Sequence, residues 1–131
     1  MAESLKTGRS VMPEAFESVS VLFVDIVCFP AISARSTPAQ LVAFLNALYA
    51  EFDDIIARHD AYKVETVGDA YLLVSGLPVR NGNRHAAELA HIALEFRSAA
   101  LAFRIAHLPR VPLLTRAGIH TGPVFLLHYN S

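Results

Sequence analysis

From Val19 to Val27 the chain is almost continuously apolar and rich in β-branched and aromatic residues, interrupted by Ser20 and Asp25. That pattern predicts a strand buried on both faces, ending near Pro30. Ser36-Thr37-Pro38-Ala39-Gln40 predicts a helix start. Thr37 is the N-cap, Pro38 the first helical residue, and Gln40 stands where a capping box closes. Leu41, Phe44, Leu45, Leu48, Phe52, Ile55 and Ile56 then recur at helical spacing, so the helix runs to about His59. Tyr62–Thr66 and Ala70–Ser75 read as strands, and Val67-Gly68-Asp69 joins them as a hairpin. Gly76, Pro78, Asn81, Gly82 and Asn83 mark a loop. Asn83 is placed to cap a second helix. Its face carries Ala86, Leu89, Ala90, Ala93, Leu94 and Arg97, and it ends near His107 and Pro109. Leu113–His120 is a last strand, closed by Gly122-Pro123. Residues 1–17 are polar and mixed, with Gly8 and Pro13, and read as a linker or the end of a preceding helix.

The order β, α, β, β, α, β predicts an α+β fold, a ferredoxin-like sandwich. In that topology the first and third strands are central, adjacent and antiparallel. Asp25, late in strand one, and Asp69, at the start of strand three, then meet at one edge of the sheet. Two adjacent carboxylates repel, and burial of either is costly without a partner. A hard divalent cation relieves both problems. Mg²⁺ accepts few protein carboxylates and completes its shell with phosphate oxygens and water. Two such ions about 3.5–4 Å apart suit phosphoryl chemistry. By spacing alone, a plain strand-end acid and a turn aspartate account for the two residues more readily than a metal does.

The 131 residues suit one domain, and 53% are hydrophobic, enough for a core. Eleven basic against twelve acidic residues leave no footprint for nucleic acid or an anionic membrane surface. Cys28 has no second cysteine to pair with, which fits a reducing compartment. No apolar run approaches the roughly 18 residues of a membrane span, and the start has no apolar signal core, so a soluble chain without direct membrane contact is expected. Arg80-Asn81-Gly82-Asn83-Arg84 reads as a loop and helix cap rather than a phosphate cradle, and Gly68 as a turn glycine. The six histidines show no zinc spacing.

At these residues the chain resembles the class III nucleotide cyclases, and within them the catalytic domain of receptor-type (membrane) guanylyl cyclases. The matching runs are Leu22-Phe23-Val24-Asp25-Ile26-Val27, Tyr62-Lys63-Val64-Glu65-Thr66-Val67-Gly68-Asp69-Ala70-Tyr71, Ser75-Gly76-Leu77-Pro78, Arg80-Asn81-Gly82-Asn83-Arg84-His85-Ala86 and Ala117-Gly118-Ile119-His120-Thr121-Gly122-Pro123. Ser4-Leu5-Lys6 and Val11-Met12-Pro13-Glu14 resemble the stretch after the signalling helix. The resemblance implies conversion of GTP to cyclic GMP and pyrophosphate at a dimer interface, with two Mg²⁺ or Mn²⁺ ions. It implies a homodimer, or a heterodimer with another cyclase domain. It also implies a cytoplasmic domain whose parent is a single-pass plasma-membrane receptor. By resemblance Asp25 and Asp69 hold the metals with the Ile26 backbone. Glu65 reads guanine, and the Cys28 and Phe29 backbone lies in the phosphate loop. The pattern alone makes Glu65 an exposed strand residue.

The chain departs from the family in that loop. Cys28 stands where the family has glycine and Pro30 where it has threonine. A side chain crowds or strains the loop, and proline brings no N–H to a phosphate. Residues 18–124 are expected to be the partial catalytic domain, and residues 125–131 a tail outside the family. No residue here matches the family's second base reader, its ribose-orienting asparagine or its transition-state arginine. The sequence therefore also supports a catalytically inactive module that pairs with an intact cyclase, or a truncated gene product.

Overall fold

The computed structural model describes residues 12–128. Ser4-Leu5-Lys6, Val11 and the last three residues of the expected tail lie outside the described residues. The elements are β1 (Met12–Ile26), α1 (Phe29–Ala34), α2 (Pro38–Ile56), β2 (Tyr62–Val67), β3 (Ala70–Ser75), α3 (His85–Ala102) and β4 (Thr115–His128). The strands form one antiparallel sheet in the order β2-β3-β1-β4. Apart from the short α1, this is the expected βαββαβ order, with β1 and β3 adjacent at the centre.

Local chemistry sets α2. The Gln40 N–H donates to Thr37 Oγ1 at 3.1 Å, and the Thr37 N–H donates to Gln40 Oε1 at 2.9 Å. Phe44, Leu48, Phe52, Ile55 and Ile56 of α2 are buried against the sheet and α3. The rings of Phe52 and Phe96 stack at 4.0 Å, and Tyr71 of β3 meets both edge-on. This aromatic cluster ties both long helices to the sheet.

Several expectations are corrected. β1 is buried on both faces only at Val19 and Ser20. Leu22, Val24 and Ile26 face the helices and are buried, whereas Phe23 is 57% exposed. From Val21 to Ile26 burial alternates with the pleat, whereas at the other end of the strand Phe16, Val19, Val74 and Leu77 close a second small core. The buried face of α3 is Leu89, Ile92, Phe96 and Ala100, rotated from the expected one, and Leu94 is exposed. The N-cap of α3 is Arg84 rather than Asn83, and the helix stops at Ala102, before His107.

The ends of the sheet also differ. Residues 12–17, expected in a linker, form the first part of β1 and pair with the far end of β4. β4 runs through Gly122-Pro123 and includes Phe125, where the tail was expected to begin. Phe16 faces Val124 and Val19 faces Gly122, so Glu17 and Ser18 together oppose Pro123. Proline lacks a ladder donor and is tolerated on an outer strand opposite a bulge.

Candidate active site

The helix-free face of the sheet carries the chemistry. Asp25 sits on it, paired with Ala70 of β3 on one side and Arg116 of β4 on the other. Asp69 is the residue before Ala70. The antiparallel pairing therefore brings the two aspartates to one sheet edge, as their positions predict. Asp69 is half-buried in the two-residue turn between β2 and β3, where Gly68 supplies a φ of +58°.

Arg116 was not anticipated. Its Nε donates to Asp25 Oδ1 at 2.7 Å and its Nη2 to Asp25 Oδ2 at 3.0 Å. This paired geometry is the fixed guanidinium–carboxylate fork. The bond to Asp25 and then its charge hold the Arg116 pKa above the ordinary value, and the charge of Asp69 adds to this. Arg116 thus senses both of the site's aspartates. The available signal was its place one residue before the matched Ala117-Gly118 run, but only the β1–β4 register reveals its partner.

Around Asp25, the residues Phe23, Val24, Ala70, Arg116, Ala117 and Gly118 line an open hollow of about 310 Å³. Ala70, Ala117 and Gly118 are small, and a Cβ on Gly118 would meet nothing within 4 Å. A hollow of about 360 Å³ lies between Ala15–Ser18 and Arg80–Asn83. It holds no paired carboxylates. There Arg80 donates to Glu14 and to the Ala15 carbonyl, and lies 4.2 Å over the Phe16 ring. Asn81 is buried and donates to Asp60 and Ser75. That segment is structural, in line with the loop reading.

Glu65 is exposed on β2. Lys63 faces Leu73 and Glu65 faces Leu72, so Val64 is an extra, bulged residue. The bulge puts Glu65 in register with Leu72 and Phe23 on the Asp25 face. Two strand spacings, roughly 10 Å, separate β2 from β1. Glu65 therefore shares the face with the aspartates without joining them.

The loop after β1 bears out the concern about Cys28. Cys28 is exposed and adopts φ +61°, the left-handed region that favours glycine. Its carbonyl accepts from the Ala31 N–H at 3.0 Å, opening α1. Phe29 and Pro30 are the first two residues of that helix. Ile26, buried at the end of β1, leaves only its backbone for a ligand.

The donor set can be tested against a metal. Asp25 already takes a cation, the guanidinium, on both oxygens. Among the described residues no group of three or more His, Cys, Asp and Glu side chains converges to hold an ion. The protein thus offers two hard carboxylates and no closed cage. Hard carboxylates suit a hard divalent cation completed by substrate oxygens and water.

Known proteins are similar to this chain in sequence and fold. The chain is 57% identical over 124 residues to atrial natriuretic peptide receptor 2 of Rattus norvegicus, covering 95% of this chain and 12% of that protein. It superposes on the dimeric guanylyl cyclase domain of the RhoGC fusion protein from Blastocladiella emersonii with TM-score 0.80 and 35% identity, covering 88% of this chain and 63% of that one. It superposes on the guanylate cyclase domain of RhGC from Catenaria anguillulae, solved with GTP, with TM-score 0.79 and 33% identity, covering 89% and 69%. The chain spans only about an eighth of the receptor's length. The profile of the adenylate and guanylate cyclase catalytic domain matches residues 11–129, a span that takes in most of the segment expected to fall outside, and the chain belongs to that family.

Proposed function

We propose that this chain carries the metal-holding and guanine-reading part of a guanylate cyclase centre, which converts GTP to cyclic GMP and pyrophosphate. The observation that carries this reading is the β1–β3 register, with Asp25 opposite Ala70 and hence beside Asp69. In the reaction the ribose 3′-oxygen attacks the α-phosphorus. The bond from that phosphorus to the bridging oxygen breaks, pyrophosphate leaves with the bonding pair, and the hydroxyl proton is released.

Domains of this family are metal-dependent. Two Mg²⁺ or Mn²⁺ ions, when bound, supply positive charge to the attacking and leaving oxygens. The Asp25 and Asp69 carboxylates and the Ile26 carbonyl would hold them. Glu65 accepts the adjacent N1–H and N2–H donors of guanine. Adenine offers no such pair, and it would leave the carboxylate unsatisfied. The Cys28 and Phe29 N–H groups face the phosphates, and Pro30 supplies none. Arg116, whose side chain is 72% exposed beside Asp25, would be a donor to a phosphate oxygen.

The uncovered face, with Phe23 57% exposed, supports pairing with a second cyclase domain as a homodimer or heterodimer. The receptor among the relatives and the unpaired Cys28 support a cytoplasmic domain of a single-pass receptor. No helix among the described residues is long and apolar enough to cross a membrane.

The left-handed Cys28 and the missing Pro30 N–H favour a second reading, a non-catalytic module that pairs with an intact cyclase. Purified chain with GTP and Mn²⁺, assayed for cyclic GMP against Asp69→Ala, separates the two. Product above the control supports the enzyme. No product, but altered activity of an added intact guanylyl cyclase domain, supports the module. If neither is seen, both readings fail.

A further inference from the structure

The turn that carries Asp69 is held from outside the sheet. Tyr49, on α2, donates its hydroxyl to the Gly68 carbonyl at 2.7 Å. That carbonyl belongs to the planar peptide unit that also contains the Asp69 nitrogen and ends at the Asp69 Cα. A bond to its oxygen therefore fixes the orientation in which Asp69 begins. Gly68, at φ +58°, has no side chain to restrain the turn itself.

Tyr49 is in turn braced. Its ring lies 5.2 Å from that of Tyr71, tilted by 58°, and 6.3 Å from that of Phe52. The Tyr71 hydroxyl donates to Asp53, one turn further along α2. Asp53 also accepts from Lys63 Nζ of β2 at 3.1 Å. Two successive turns of α2 thus grip β2, β3 and the turn between them. Burial first, and the charge of Asp69 second, push the Tyr49 pKa up to about 12, so the hydroxyl keeps its proton across the ordinary pH range.

We propose that Tyr49 is a positioning residue for Asp69, fixing the Gly68–Asp69 peptide so that the carboxylate stays aimed at the metal side of the sheet edge. This rests on reading Asp69 as a metal carboxylate. Tyr49→Phe keeps the ring contacts and removes only the hydroxyl.

The test uses the full chain and has one readout without metal and one with it. Nitrogen relaxation by NMR on the metal-free protein gives the Asp69 backbone order parameter. It is expected near about 0.85 in the wild type and to fall toward about 0.6 in Tyr49→Phe, with the rest of β3 unchanged. Mn²⁺ binding followed by electron paramagnetic resonance is expected to weaken about two- to tenfold, as for the loss of one hydrogen bond. Tyr71→Phe, which removes a hydroxyl from the same network away from the turn, controls for general loosening. An Asp69 order parameter unchanged in Tyr49→Phe, or lowered equally in Tyr71→Phe, would overturn the proposal. If wild type and Asp69→Ala bind Mn²⁺ alike, the metal reading of Asp69 fails, while the order parameters still decide whether Tyr49 fixes the turn.

Discussion

Arg116 and Asp25 form a two-bond pair across β4 and β1, at 2.7 and 3.0 Å, at the carboxylate proposed to hold a metal. The arginine side chain is 72% exposed and the aspartate side chain 31%, so solvent screens the pair and it is readily exchanged. A divalent cation held by Asp25 would compete with the guanidinium for the same two oxygens. Arg116→Ala should therefore bind Mn²⁺ severalfold more tightly in the absence of nucleotide. It should bind the Mn²⁺ complex of GTP more weakly, because a phosphate partner is lost. Calorimetric titration with each ligand reads both effects. Weaker binding of Mn²⁺ alone would show that Arg116 does not block Asp25.

Cys28 is the described non-glycine residue with a positive φ. A left-handed conformation costs a side chain about 1–2 kcal/mol, partly offset in glycine by its greater freedom when unfolded. Cys28→Gly should stabilise the fold by about 1 kcal/mol, a rise of about 4 °C in Tm. Cys28→Ala, which keeps a Cβ, should not. Thermal unfolding of the three proteins checks this, and equal shifts for glycine and alanine would locate the effect in the thiol instead.

His59 sits between two helix carboxylates. Its Nδ1 is 3.0 Å from Glu88 and its Nε2 2.9 Å from Glu95. Both contacts are hydrogen bonds only if the ring is doubly protonated. Burial acts to lower the His59 pKa, but the bonds to Glu95 and Glu88, with their charges, raise it above the ordinary 6.5. The bond to His59 in turn lowers the Glu95 pKa below 4.5, with Arg58 adding to it. Because the folded value for His59 is the higher one, its contribution is complete below the unfolded pKa and is lost as pH rises through the folded pKa. The Glu95 contribution has the opposite sense, lost as pH falls through its lowered value. Tm should therefore decline as pH rises above the ordinary histidine value of 6.5 more in wild type than in His59→Gln. Parallel curves would mean that the clamp is not ionised.

Much of this was legible from local signals. Thr37 and Gln40 announce the start of α2 through backbone chemistry confined to four residues, and Gly68-Asp69 between two β-rich runs announces the hairpin. The meeting of Asp25 and Asp69 follows from topology alone. What was hidden depends on partners distant in sequence. Residues 12–17 contain Pro13 and Glu14 and look like a linker until β4 pairs with them. Pro123 resembles a strand end, and only the opposing bulge makes it tolerable. A run such as Leu22-Phe23-Val24 reads the same whether one face is covered or two, and Phe23 shows that it is one. Arg116 and Tyr49 act through side chains whose partners are set by register and by helix packing, neither of which is encoded by spacing.

That Asp25 and Asp69 act as one metal site is tested by a double-mutant cycle on Mn²⁺ affinity, with Asp25→Asn, Asp69→Asn and the pair, each measured with a non-hydrolysable GTP analogue. Two ligands of one site are strongly coupled, so either substitution alone should remove most of the affinity and the second should add little. Losses that simply add, or a double variant that binds Mn²⁺ like the wild type, would contradict the shared site.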